Sequence, residues 1–135
     1  FVTKVLQWAR QQEVMRVVDD QISSPTSARM LAEVTALVLA QGRDDVFGYL
    51  SEKGGLYHCA GEGSCSRYEW AKAILELDPH REEQIVQQVD HGKNYEFPSL
   101  AQRPMISVLN ANKLAKTLEL KLQNWKNGLD MVVEA

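Results

Sequence analysis

The chain has 135 residues, 44% of them apolar, enough to bury one core and therefore to form a single domain over 1–135. Its 15 basic and 18 acidic side chains give a net charge of −3 with no basic stripe, which excludes a general nucleic-acid binder. No apolar run approaches the roughly 18 residues of a membrane span and no signal peptide opens the sequence, so a soluble, cytoplasmic protein is expected.

Helical spacing of Val2, Val5, Leu6 and Ala9 predicts a first helix over Phe1 to Gln12, with Trp8 packing near its apolar stripe. No capping residue precedes it and no methionine starts it, so the chain reads as cut from a longer polypeptide. Val14 to Val18 is short, apolar and mostly β-branched, which suits a buried strand. A polar junction follows, carrying Asp19, Asp20, Gln21, Ser23 and Thr26. Ser24 is placed as an N-cap with Pro25 at the first helical position, where a missing amide costs no hydrogen bond. The helix this opens runs through Val34, Leu37 and Val38 to about Gln41, and Gly42 stops it.

Arg43 to Gly55 is mixed and charged and reads as a solvated connection, after which Leu56 to Ala60 suits a second short strand. A glycine-containing loop, Gly61-Glu-Gly-Ser-Cys-Ser66, leads from it into a strongly marked helix. Ser66 and Glu69 have capping-box spacing, Trp70, Ala71, Ile74 and Leu75 make the apolar face, and Asp78-Pro79 ends it. Two strand–loop–helix units point to an α/β fold. Gln84 to Val89 fits a strand or a short helix. Tyr95 to Met105 holds Phe97-Pro98 and Arg103-Pro104, which favours an extended loop. Ser107 to Leu109 suits a strand, Asn110 a cap for a helix containing Leu114, Ala115 and Leu118, and Asn124 a cap for a last helix burying Trp125, Leu129, Val132 and Val133.

Where a strand gives way to a helix N-terminus, ligands of α/β proteins often bind, so the junction at 19–26 is the first candidate site. Tyr68-Glu-Trp-Ala-Lys72 has the Tyr-x-x-x-Lys spacing of short-chain dehydrogenases, in which lysine lowers the pKa of a proton-donating tyrosine. That chemistry needs a glycine fingerprint after an upstream strand, and Gly61-Glu-Gly63 reaches Ser66 where the third glycine should stand. Residues four apart on a helix are ordinary neighbours, so this pair reads as structural. His58, His80 and His91 show no ligand spacing, and Cys59 and Cys65 fit no zinc pattern and read as reduced, structural thiols, with a disulfide between them as the alternative. Arg103, held by Pro104 on an extended loop, could offer its planar fork to a phosphate or to a carboxylate across the domain.

Five landmarks in order carry a resemblance. They are Asp19-Asp-Gln-Ile-Ser-Ser-Pro-Thr-Ser-Ala-Arg29, Gly55-Leu-Tyr-His58 leading into Gly61-Glu-Gly-Ser-Cys-Ser66, Tyr68-Glu-Trp-Ala-Lys72, Phe97-Pro-Ser-Leu-Ala-Gln-Arg-Pro104, and Ser107-Val-Leu-Asn110. Together with Trp125 they resemble the dTDP-4-dehydrorhamnose reductase family of extended short-chain dehydrogenases, over nearly the whole chain. The resemblance implies an α/β fold, namely the C-terminal substrate-binding portion of such an enzyme, with several helices and a few short strands. It implies that the N-terminal dinucleotide-binding half, with the catalytic tyrosine and lysine and the bound NADPH or NADH, lies outside these residues. The whole enzyme would reduce dTDP-4-dehydro-L-rhamnose to dTDP-L-rhamnose for polysaccharide biosynthesis, and this portion alone would be inactive.

Carried over position by position, Gln21, Pro25 and Thr26 fall on the family's Asp-Gln-x-Gly-x-Pro-Thr landmark and Arg103 on its Arg-Arg-Pro. The junction is then expected to shape the sugar end of the substrate cleft and Arg103 to face the nucleotide diphosphate. Ser23 stands where the family has glycine, and Gln102 where it has the first arginine. Some members are dimers bridged by a metal through glutamates; Arg29 stands at one such position, so no such metal is expected. No catalytic, cofactor-binding or metal-binding residue is assigned to the chain. Its expected partners are the dTDP-sugar, its own N-terminal half and a second copy, since the missing half would leave apolar surface uncovered. The alternative is a non-catalytic regulatory subunit of the same fold, of the kind that partners methionine adenosyltransferase.

Overall fold

The computed structural model describes residues 1–120 and 122–133. Its first helix, α1 (Val2–Ala9), is shorter than the expected span to Gln12. The Ala9 carbonyl is taken by the amides of Ile85 and Val86 at 2.9 and 3.1 Å, and the Arg10 side chain is drawn across to Asp78 and Glu83, so the chain leaves the helix there. β1 (Val14–Val18) forms as expected, and β2 (Ile22–Ser23) follows within the junction.

α2 (Ala28–Gln41) begins later than its sequence cues suggest, and its cap is Ser27, whose hydroxyl accepts from the Met30 amide at 3.1 Å. Ser24 is engaged elsewhere, donating to the Gly63 carbonyl at 2.9 Å, so Pro25 sits in the junction and not at the first helical position. Gly42 does end α2. The stretch read as a solvated connection holds another helix, α3 (Val46–Lys53), capped by the Asp45 carboxylate on the Gly48 amide at 2.9 Å. None of its residues is buried, which is why no apolar stripe announced it.

Leu56 to Ala60 is not a strand. It runs unpaired, with Tyr57 and Cys59 packed on a small apolar cluster; the strand comes later, as β3 (Cys65–Ser66). Next is α4 (Arg67–Leu77), with the Ser66–Glu69 capping box complete and Asp78 at its C-cap. The ambiguous stretch after it resolves into a 3₁₀ turn at Arg81–Glu83 and β4 (Gln88–Gly92). β5 (Ile106–Ser107) starts one residue earlier and ends two residues earlier than expected. In α5 (Asn112–Leu118) the expected cap Asn110 lies one residue too early for that position, although its side chain still accepts from the Asn112 amide at 2.9 Å. Asn124 accepts from the Lys126 amide at 3.0 Å at the start of α6 (Trp125–Val133), where Trp125 and Leu129 are buried but Val132 is 40% exposed.

β1 and β4 pair in parallel, Val14 opposite Gln88 and Val18 opposite Gly92, as a crossover through α4 allows. β2 lies between antiparallel β3 and parallel β5 in a second, small sheet. The main core joins Val5 of α1, Met15 and Val17 of β1, Ile74 of α4, and Trp125 and Leu129 of α6. Leu114, Leu118 and Leu122 form a smaller cluster against α2. Among the described residues no helix is long and apolar enough to cross a membrane.

Candidate functional site

The residue after β1 and its junction acids, Gln21, is where the two sheets meet α4. Its carbonyl accepts from the Arg67 amide at 3.1 Å, so the first residue of α4 is tied to the junction by its backbone. The side chains repeat the tie: Arg67 Nε donates to Gln21 Oε1 at 2.8 Å, and Gln21 Nε2 donates to Asn94 Oδ1. Asn94 is fixed in turn, its amide donating to the Asp20 carboxylate at 2.9 and 3.2 Å.

A cleft of about 510 Å³ opens beside this relay. Lys4, Arg16, Arg67 and Arg103 line it with no carboxylate among the described residues, and Phe1, Trp8 and Phe97 supply aromatic walls. A contiguous hollow of about 310 Å³ shares Gln21, Arg67 and Arg103 and adds Ser23, Pro104 and Ser107. Arg16 is neutralised by Glu96 at 2.5 Å. Arg67 and Arg103 have no carboxylate partner among the described residues. Burial pushes the Arg67 guanidinium below its usual value, and the charge of Arg103 pushes it the same way. Both causes disfavour the cation that is there, and an anion between the two arginines would reverse the second.

Gln21 and Arg103 therefore line one cleft, while Pro25 and Thr26 line neither hollow. Pro25 is buried, with its carbonyl so close beneath Gly61 that a Cβ there would stand 2.4 Å away. Thr26 Oγ1 accepts from the Gly61 amide at 3.0 Å and donates to the Ser24 carbonyl at 3.0 Å. These two residues dock the glycine loop against the junction. Ser23 pairs with Cys65 in the small sheet, and Arg29 is exposed on α2 beside Glu33 at 3.0 Å. Arg67 was missed by sequence reasoning. One signal was present: a cation in the first turn of a helix opposes the helix dipole, so an arginine there asks for a local reason.

The other candidates lie apart from the cleft. Tyr68 stacks on His91 with ring centroids 3.9 Å apart, and the Lys72 ammonium sits 5.8 Å from the Tyr68 ring centroid, so their spacing serves packing. Asp19 accepts from Lys93 at 2.8 Å and pairs with His91 at 3.0 Å, contacts that hold its carboxyl below the usual range. His80, Glu82 and Glu83 form an exposed group of metal-type side chains, with Glu83 already paired to Arg10 at 2.7 Å. Both cysteines are free, and burial pushes the Cys65 thiol up to about 12, which makes it a packing residue and no nucleophile.

The model of the family described as RmlD substrate binding domain matches residues 1–135. The chain belongs to this family. Among relatives of this RmlD-type domain, a dTDP-4-dehydrorhamnose reductase of Sinorhizobium fredii is 30% identical over 136 residues, covering 100% of this chain and 44% of that protein. The dTDP-4-dehydrorhamnose reductase of Escherichia coli K12 is 29% identical over 134 residues, 96% of this chain and 42% of that one. A crystal structure of a dTDP-4-dehydrorhamnose reductase from Clostridium acetobutylicum matches at a TM-score of 0.80 and 29% identity, over 99% of this chain and 42% of the other. One from Bacillus anthracis, in complex with NADP, matches at 0.76 and 29%, over 100% and 43%. The chain thus spans less than half the length of these relatives, and the shared α/β architecture agrees with the fold expected from its sequence.

Proposed function

We propose that this chain is the substrate-side portion of a dTDP-4-dehydrorhamnose reductase, a reductase of nucleotide-sugar metabolism that converts dTDP-4-dehydro-L-rhamnose to dTDP-L-rhamnose. One observation carries the reading: in a chain of net charge −3, four cations and, among the described residues, no acid line a single cleft with aromatic walls. Cations gathered in one cleft favour a ligand of the opposite sign, and Arg67 and Arg103, which have no carboxylate partner among the described residues, match the planar oxygens of phosphoryl groups. Phe1, Trp8 and Phe97 suit a flat base, and a nucleoside diphosphate carries both features. In this reading Arg103 faces the diphosphate and the junction around Gln21 lies toward the sugar.

The described residues do not fit a dinucleotide. Gly61 lacks a side chain because the Pro25 carbonyl fills that space, and the Gly63 position is crowded by Asn124 and Trp125, each 3.3 Å from where a Cβ would stand. The glycines of this loop serve close packing, and Ser66 stands where the third glycine of a dinucleotide fingerprint would be. NADPH or NADH then belongs to a dinucleotide-binding half beyond these 135 residues, as does the proton relay.

The test uses the complete polypeptide that carries this chain, with dTDP-4-dehydrorhamnose and NADPH, following loss of the reduced nicotinamide absorbance, together with dTDP-rhamnose titrations. Turnover is expected, and Arg103→Ala should weaken dTDP-rhamnose binding about tenfold or more by removing a charge-assisted fork. Nucleotide-sugar binding without turnover would point instead to the regulatory-subunit alternative. Absence of both would overturn the reading, and unchanged affinity in Arg103→Ala would remove that residue from the site.

A further inference from the structure

Arg67 is held on three sides. Its amide bonds to the Gln21 carbonyl, its Nε to Gln21 Oε1 at 2.8 Å, and its guanidinium carbon lies 5.3 Å from the centroid of the Phe1 ring. The remaining edge, Nη1 and Nη2, has no hydrogen-bond or ion-pair partner among the described residues, and the side chain lines both hollows that Arg103 lines. An arginine so immobilised loses little further entropy on binding, and its free edge has the geometry of a bidentate phosphoryl contact. Two guanidiniums close enough to repel, one half-buried and with no acid between them among the described residues, are an arrangement that folding alone disfavours.

Building on the nucleotide-sugar reading above, we propose that Arg67 determines specificity for a diphosphate over a monophosphate, gripping one phosphoryl group while Arg103 grips the other. Gln21 is then a positioning residue. Both ends of its amide are engaged by Arg67 and Asn94, so it acts on the ligand through the arginine it orients. A nucleoside monophosphate can satisfy one fork and leaves the other charge unanswered, whereas a diphosphate satisfies both.

The test measures calorimetric affinities of the complete polypeptide for dTDP and dTMP, in wild type, Arg67→Gln, Arg67→Lys and Gln21→Ala. In Arg67→Gln the dTDP affinity should fall about 10- to 100-fold and the dTMP affinity less than about threefold, collapsing the preference. The salt dependence of dTDP binding should flatten in that variant, because one counter-charge is gone. Arg67→Lys keeps the charge but loses the fork, and should show an intermediate preference with the salt dependence retained. Gln21→Ala should lower dTDP affinity about fivefold with unchanged salt dependence, as expected for misorientation without loss of charge. If Arg67→Gln does not fold, as judged by circular dichroism, Arg67→Lys decides by the same ratio. Equal weakening of both nucleotides, or none, in a protein whose wild type binds dTDP would overturn the role of Arg67 and leave the nucleotide-sugar reading standing. A wild type that binds neither nucleotide would overturn both.

Discussion

Helices α2 and α4 begin alike and end up in different surroundings. Each is capped by a serine hydroxyl on the amide three residues on, Ser27 to Met30 and Ser66 to Glu69, both at 3.1 Å. Yet α4 buries Ala71, Ile74 and Leu75, while α2, longer by three residues, buries only Met30 and leaves Leu31, Leu37 and Leu39 at 40%, 52% and 46% exposure. A cap fixes where a helix starts; what lies across from its apolar face fixes how much that helix contributes to stability. α4 lies between α1, β1 and α6, whereas α2 meets mainly the small cluster around α5.

The sharpest way to break this contrast is Ile74→Ala. The side chain is fully buried, so its loss should cost about 3–4 kcal/mol in denaturant unfolding, combining lost transfer energy with an uncollapsed cavity. Arg10→Ala tests the other end of α4. Burial alone would raise the Asp78 carboxyl, but hydrogen bonds from Arg10, Gln84 and the His80 amide outweigh it and hold it below its ordinary value. A carboxylate depressed in the folded state stabilises fully above its unfolded pKa of about 3.9 and loses that contribution as the pH falls through the folded value. Arg10→Ala should therefore cost about 2 kcal/mol at neutral pH, less than a fully orphaned buried charge because two partners remain. The difference from wild type should shrink toward pH 3, which unfolding curves at the two pH values would show.

Removing the caps sharpens the comparison further. Ser66 is itself buried and its box satisfies two groups, so Ser66→Ala should cost about 1–2 kcal/mol; Ser27→Ala should cost about 0.5–1. Smallest of all is Leu37→Ala, expected within about 0.5 kcal/mol because the side chain is half in solvent. A cost there approaching that of Ile74→Ala would mean that the α2 face is covered in solution and that the two helices are equivalents after all.

The same contrast explains what could be read from the sequence. α4 was legible because its signals are local: Ser66 and Glu69 cap each other, and Asp78-Pro79 ends it. The start of α2 was misplaced because the hydroxyl expected to cap it, that of Ser24, is claimed from afar by the Gly63 carbonyl. Leu56 to Ala60 looked like a strand because it is apolar, but Tyr57 and Cys59 pack on the small cluster, Leu56 is exposed and no ladder reaches the stretch. In the cleft, Gln21 and Arg103 could be singled out from motif and loop chemistry. Arg67 could not, since Phe1, Gln21 and Arg103, which give it meaning, are scattered along the chain and converge only on folding.

The stitch between the glycine loop and α6 reaches further than its size suggests. Glu62 donates to the Gln123 carbonyl at 2.8 Å and accepts from the Trp125 amide at 3.0 Å, and this loop is the one that Thr26 and Ser24 clasp. A carboxypeptidase trimming the chain back through Trp125 would unfasten the loop and slacken the segment leading to Gln21. Nucleotide affinity should then report damage inflicted at the opposite end of the polypeptide.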